Sequence, residues 1–407
     1  MGNKDKPLHL NHTLFVDALR GSMVIKVLVL HFIICFYPAI FYGVENTWVE
    51  CTQRFAWETI IGKSPLFQFI NGSFAVYQFW LISGFVLGIK LKNSCPLKVN
   101  IRDLLARLEY FVITVGAALL FSYILLCLGL NFNGIVGEEF GNGALTGYLY
   151  PMQPEGIVSL IKDWIYVFYR GSSFYNVTLW FMKYAFWGSI FTYVVMFLMN
   201  KARKWQFQIV LLLFITIGIV FLKRYNYLPF IFGIFMAMYG ENIRYFVMGR
   251  NKLLVFIFLT LLLILGIACG GYPVNHDIEK GFYNLFPKVR YEFYYVIGAS
   301  IIFWVYYISD FYRQLIEIKP LIWIYRNSFA IYLLHFPIIM TLGMRLFYLC
   351  NVTWKINYHV AAMITILITS TVIFWVASIT TRYVKPVLKK QQYVNLILYK
   401  IGMNQVK

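Results

Sequence analysis

Arg20 and His31 lie in the stretch Val16-Asp-Ala-Leu-Arg-Gly-Ser-Met-Val-Ile-Lys-Val-Leu-Val-Leu-His31. Eleven residues on an α-helix amount to about 1100°, or three turns plus roughly 20°, with a rise of about 16 Å. The two side chains therefore share one helix face, a cation near the start of an apolar segment and an imidazole further in. Ionisable groups at such depth are expensive and read by default as functional. A neutral imidazole is suited to general-base work because its proton affinity matches working pH. Asp17, three residues before Arg20, is a natural intrahelical ion-pair partner, and without His31 the arginine would read as an ordinary snorkelling cation. Lys26 falls about 140° around the helix from His31 and is expected to serve something else.

A second histidine, His335, lies about fifteen residues in from Pro320, within Phe329-Ala-Ile-Tyr-Leu-Leu-His-Phe-Pro337. Its depth matches that of His31, which invites a shared cavity with Tyr332 nearby, although a lone histidine is more often a satisfied packing group. The small pair Ser83-Gly84, in Phe79-Trp-Leu-Ile-Ser-Gly-Phe85, is explained by close helix approach alone. The six cysteines are scattered, without a C-x-x-C or Cys/His cluster, so no metal site is expected.

The elements that must hold these residues are membrane helices. The chain has 407 residues, of which 60% are hydrophobic and 13% charged, against roughly 25% charged in soluble domains. Apolar spans are expected near 15–42, 66–89, 108–130, 175–199, 206–222, 225–240, 253–270, 291–309, 321–349 and 358–381. That makes an all-α, polytopic bundle of about ten helices, or nine if 206–240 is one broken helix. The first run is too long for a signal-peptide core and is expected to remain as a span. The formal charge is +19, and no compact basic domain accompanies it, so nucleic acid is not the expected partner. The excess follows topology instead. The stretches 1–20, 88–110, 200–205, 240–252, 310–320 and 382–407 hold 22 Lys and Arg, and the alternate connections hold 10. Both termini are thereby expected on the cytoplasmic side. A single membrane domain over 1–390 and a basic tail over 391–407 complete the expected organisation. The sequons at Asn71, Asn176 and Asn351 are expected to be coincidental.

In sum these segments resemble the membrane acyltransferase family 3, multi-pass O-acyltransferases that include polysaccharide O-acetyltransferases. The likeness rests on Asp17-Ala-Leu-Arg-Gly21 through His31, Trp80-Leu-Ile-Ser-Gly-Phe-Val86, Arg107-Leu108 after a basic loop, Leu179-Trp180, and Ile331-Tyr-Leu-Leu-His-Phe-Pro337. The resemblance implies that His31 is the catalytic histidine and Arg20 its essential partner. It further implies acetyl-CoA or another acyl-CoA as co-substrate, with no metal, and a hydroxyl acceptor on a carbohydrate, glycolipid or small molecule. Transfer of this kind belongs to acyltransferases handling groups other than aminoacyl, in the plasma membrane, an endomembrane or a bacterial inner membrane. Arg20, Arg102 and Arg107 are candidates for the CoA phosphates, while His335, Ser83, Tyr332 and Trp180 are further site candidates. The family's usual acid five positions after the tryptophan is replaced by Ala185, with Lys183 nearby, which would leave His31 without that orienting partner.

Two other readings share these residues. In a transporter or flippase, Arg20 and His31 would line a substrate or proton path, although no matched pair of Gly/Pro-interrupted spans appears in two halves. The other is a catalytically inactive family member.

Overall fold

The computed structural model describes residues 11–44, 49–92, 97–202, 204–279 and 281–384, so the expected tail over 391–407 lies outside the described residues. Each of the ten expected segments is helical: α1 (Asn11–Phe36), α2 (Gly72–Lys92), α3 (Leu97–Cys127), α4 (Trp180–Lys201), α5 (Trp205–Phe221), α6 (Leu228–Met248), α7 (Lys252–Gly270), α8 (Tyr291–Ile308), α9 (Lys319–Thr353) and α10 (Tyr358–Ile379). Eight of them are long and apolar enough to cross a bilayer. The exceptions are α5, which is apolar but 17 residues long, and α6, whose second half carries Glu241, Asn242 and Arg244. A turn at 222–227 separates these two, so the segment is two helices and not one broken one. No extended strand occurs among the described residues, only a single bridge between Cys51 and Asn142.

Helix association inside a membrane depends on close packing more than on hydrophobic transfer, and the glycines show where it happens. A Cβ on Gly84 would lie 2.4 Å from the Phe230 carbonyl, and one on Gly233 would lie 2.1 Å from the Leu81 carbonyl, so α2 and α6 meet backbone to backbone. Gly21 does the same for α1 and α9, with its Cβ position 2.1 Å from the carbonyl oxygen of Leu321. The small pair around Ser83 is thus a packing device. α1 runs between two apolar cores. Leu28, Phe32 and Phe36 belong to the one built with α3, α9 and α10, whereas Phe15, Leu19 and Met23 belong to the one built with α2, α4, α6 and α8.

Two prolines interrupt the backbone ladder, Pro38 just after α1 and Pro337 in the middle of α9. Proline lacks an N–H, so the carbonyl four residues earlier loses its helical partner, and in an apolar setting it needs another. Pro38 frees Ile34, whose carbonyl accepts from Asn142 Nδ2 at 2.8 Å, with Cys35 sharing the donor at 3.1 Å. Pro337 frees Leu333, whose carbonyl accepts from Asn176 Nδ2 at 3.2 Å. Asn176 and Asn71 are fully buried, so two of the three sequon asparagines have structural work to do. Asp163 braces the approach to α4, its carboxylate accepting from Ser173 and from the amides of Phe174 and Tyr175.

Candidate functional site

α1 and α9 run side by side in the same direction, which sets up two levels of contact. At the first, Arg20 faces Tyr325, with its guanidinium 5.6 Å from the ring centre and Nη1 3.5 Å from the hydroxyl. At the second, His31 meets His335, with ring centres 4.9 Å apart and His335 Nε2 3.1 Å from His31 Nδ1. Gly72, in the first turn of α2, packs on Val27 and Leu30, so the histidine level coincides with the end of α2 remote from Lys92.

The hydrogen bonds fix where the protons sit. His31 Nδ1 lies 2.8 Å from the Val27 carbonyl, and His335 Nδ1 lies 2.8 Å from the Tyr332 carbonyl and 3.1 Å from that of Ile331. A carbonyl only accepts, so each ring carries its proton on Nδ1. His335 Nε2 then presents a lone pair and accepts from His31 Nδ1–H, which is shared with Val27. His31 Nε2 keeps its own lone pair and has no partner among the described residues. His335 is 1% exposed and His31 half-buried, with Phe336 edge-on to the His31 ring at 5.2 Å. The Nδ1 edge of His31 is thus held by a second imidazole, and its Nε2 edge is left open.

The Tyr332 hydroxyl donates to the Thr178 carbonyl, and Thr178 Oγ1 donates to Asn176 Oδ1 at 2.7 Å. The start of α4 thereby clamps α9 one turn from His335. Trp180 packs edge-on against Trp80 at 6.0 Å and does not touch the pair. Ser83 lies on α2 among the glycine contacts. Lys26 sits on the α2 side of α1, 5.4 Å from the Phe74 ring, away from both histidines.

Arg20 opens onto a cavity of about 1460 Å³ between α1, α2, α6 and α9. Arg20, Lys92, Arg244 and Arg250 line it against Asp17 and Glu241, with Tyr245, Phe246 and Tyr325 as aromatic walls. Lys92 is engaged by the Met238 carbonyl at 2.9 Å and Arg244 by Asp310 at 2.8 Å. Arg102 is exposed on α3 and Arg107 turns inward; neither lines this cavity. Arg107 Nε donates to Ser189 Oγ at 2.9 Å and stacks on Phe111 at 4.9 Å. Ala185 shares the Ser189 face of α4, and its carbonyl accepts from the Ser189 hydroxyl at 2.7 Å. An acid at 185 would therefore face Arg107, and the side chain that meets His31 Nδ1 in this chain is His335.

Between the cavity and the histidine pair the packing is closed. Val24, Val27, Leu28, Phe79, Tyr332 and His335 leave a void of only about 10 Å³, at the lower limit for one water. Arg20, His31 and His335 stand out in the sequence, whereas Tyr325 and Asn142 do not, nor do the structural parts that Phe79 and Asn176 play. The asparagines were signalled by Pro38 and Pro337, since each proline demands an outside donor.

A family described as "Acyltransferase domain" matches residues 13–381, nearly the whole chain. No curated protein and no solved structure matches it.

Proposed function

The chain belongs to that acyltransferase family, and on this premise we propose that it moves an acyl group, acetyl foremost, from a CoA thioester to a hydroxyl acceptor, with His31 as general base. The observation that carries the reading is the free lone pair of His31 Nε2 beside a His335 that holds the opposite nitrogen.

In this reading the CoA phosphates and nucleotide occupy the cavity at Arg20, where a guanidinium offers charge-assisted bonds. The charge bias along the chain supports a cytoplasmic mouth, the side where acyl-CoA is made. The acyl arm follows α1 for about 16 Å to the histidines, parting Val24, Val27 and Phe79 as it does so. His31 Nε2 takes the proton of the acceptor hydroxyl as its oxygen attacks the thioester carbonyl. The carbon–sulfur bond then breaks, and the proton passes from His31 to the departing thiolate. His335 Nε2 accepts from Nδ1–H of His31 throughout and stabilises the transient imidazolium. The acceptor's class, a carbohydrate or another hydroxyl compound, follows the family resemblance.

The test uses full-length protein in nanodiscs with radiolabelled acetyl-CoA and a panel of hydroxyl acceptors. Acceptor-dependent CoA release is expected, and His31→Gln should lose about 10²–10⁴-fold in kcat, the usual range for a general base, while still binding CoA. Labelled acceptor crossing the membrane without CoA release would replace this reading with the transport one.

A further inference from the structure

A second cavity lies behind α9, on the side away from the histidine pair. It holds about 180 Å³ and is bounded by α3, α9 and the end of α10. On α9 it is lined by Arg326, Phe329, Ala330, Leu333 and Leu334. Their i, i+3, i+4, i+7, i+8 spacing makes one stripe, with His335 roughly opposite on the helix. This cavity is therefore separate from the proposed catalytic site.

Its polarity is graded along the helix. Arg326 and Leu334 are eight residues apart, about 12 Å. Arg326, Tyr110 and Thr381 mark one end, and Ala117, Ala118 and Leu333 the other. Thr114 and Thr380 spend their hydroxyls on carbonyls of their own helices, at 2.6 Å and 2.9 Å, and so add little polarity to the walls. Arg326 is exposed and forms no hydrogen bond or ion pair among the described residues; Asp17 is a neighbouring charge without contact.

A cation at one end of an apolar groove between membrane spans complements an amphiphile with an anionic head and a hydrocarbon tail. The bilayer itself supplies such a molecule, and basic pockets between spans are a recurrent way to hold anionic lipid heads. A cavity of about 150 Å³ already admits benzene, so this one takes part of a single acyl chain. We propose that the groove between α3, α9 and α10 binds one anionic phospholipid, its phosphate on Arg326 with the Tyr110 and Thr381 hydroxyls, and one acyl chain against Leu333 and Ala118.

The test delipidates the full-length protein in detergent and adds phosphatidylglycerol, phosphatidylcholine or inorganic phosphate. Lipid retention is read by native mass spectrometry, and thermal midpoints are recorded in parallel. Wild type should retain phosphatidylglycerol in preference and gain thermal stability from it. Arg326→Gln, an exposed change, should weaken that binding roughly tenfold, as loss of a charge-assisted contact does, while the lipid-free midpoint stays at the wild-type value. Ala118→Phe, which fills the apolar end, should reduce retention of both lipids. Equal retention of the two lipids by wild type, unchanged phosphatidylglycerol binding in Arg326→Gln, or equal protection by inorganic phosphate would overturn the proposal.

Discussion

Replacing His335 by alanine tests the proposed base without touching it. His31 Nδ1–H has two acceptors, the Val27 carbonyl at 2.8 Å and His335 Nε2 at 3.1 Å. After His335→Ala the carbonyl remains, so the tautomer of His31 is kept and Nε2 stays available. What is lost is one hydrogen bond, which becomes charge-assisted when His31 takes up the acceptor's proton. Such bonds contribute about 1.5–3 kcal/mol, or roughly ten- to 150-fold in kcat at about 1.4 kcal/mol per decade. The KM for acyl-CoA should not change, because the cavity at Arg20 lies three helical turns away. His335→Gln returns an acceptor of similar reach and should recover most of the rate. Steady-state kinetics on wild type, His335→Ala, His335→Gln and His31→Gln in one lipid background decides the matter. A wild-type rate in His335→Ala, a glutamine variant no better than alanine, or a KM that moves while kcat does not would refute this role for His335.

Four further outcomes follow from the same geometry. Arg20→Ala should raise the KM for acyl-CoA by roughly ten- to 150-fold, the worth of one charge-assisted contact, with kcat little altered; initial rates over a donor series measure both. Gly21→Ala places a methyl 2.1 Å from the Leu321 carbonyl and should destabilise by about 1–3 kcal/mol as overpacking does, read as a lower thermal midpoint together with lost activity. Ala185→Glu sets a carboxylate facing Arg107 and should leave kcat unchanged; a tenfold gain would mean that His31 lacked an orienting group after all. Burial holds the Glu58 carboxyl above its ordinary value of 4.5 even though the Arg54 and Phe55 amides donate to it. A raised acid binds its proton more tightly when folded, so its contribution to stability is full below 4.5 and is lost as pH rises through the folded value. Glu58→Gln should remove that decline, and the difference between the two thermal midpoints, followed from acidic to neutral pH, checks it.

The helices were legible because their apolar runs are long. Even the doubtful pair α5 and α6 was visible as two segments, with Lys223-Arg-Tyr-Asn-Tyr-Leu-Pro229 between them. Helical arithmetic put Arg20 and His31 on one face, and both indeed look toward α9. Depth matching invites a cavity shared by His335 and His31, yet nothing in one strand of text could give the 3.1 Å contact or the direction of each proton. Those depend on the carbonyls of Val27 and Tyr332 and on the close approach at Gly21, which are set by the three-dimensional packing of α1 on α9. The surroundings of Ala185 lay out of reach for the same reason. Its helix face turns to Arg107, a relation fixed by how α3 crosses α4.

The asparagine that completes α1 bears on how the protein is made. Synthesis releases α1 before the other nine helices, but the Ile34 carbonyl freed by Pro38 waits for Asn142, more than a hundred residues later. The face carrying His31 waits longer still, for a partner 304 residues away. Contacts so distant in sequence form late, so a ribosome-bound chain ending before α9 holds His31 without the His335 ring or the Tyr325 level below it. On the proposed mechanism, activity is thus withheld until nearly all the spans are in place, and α1, made ahead of the other nine helices, is finished last.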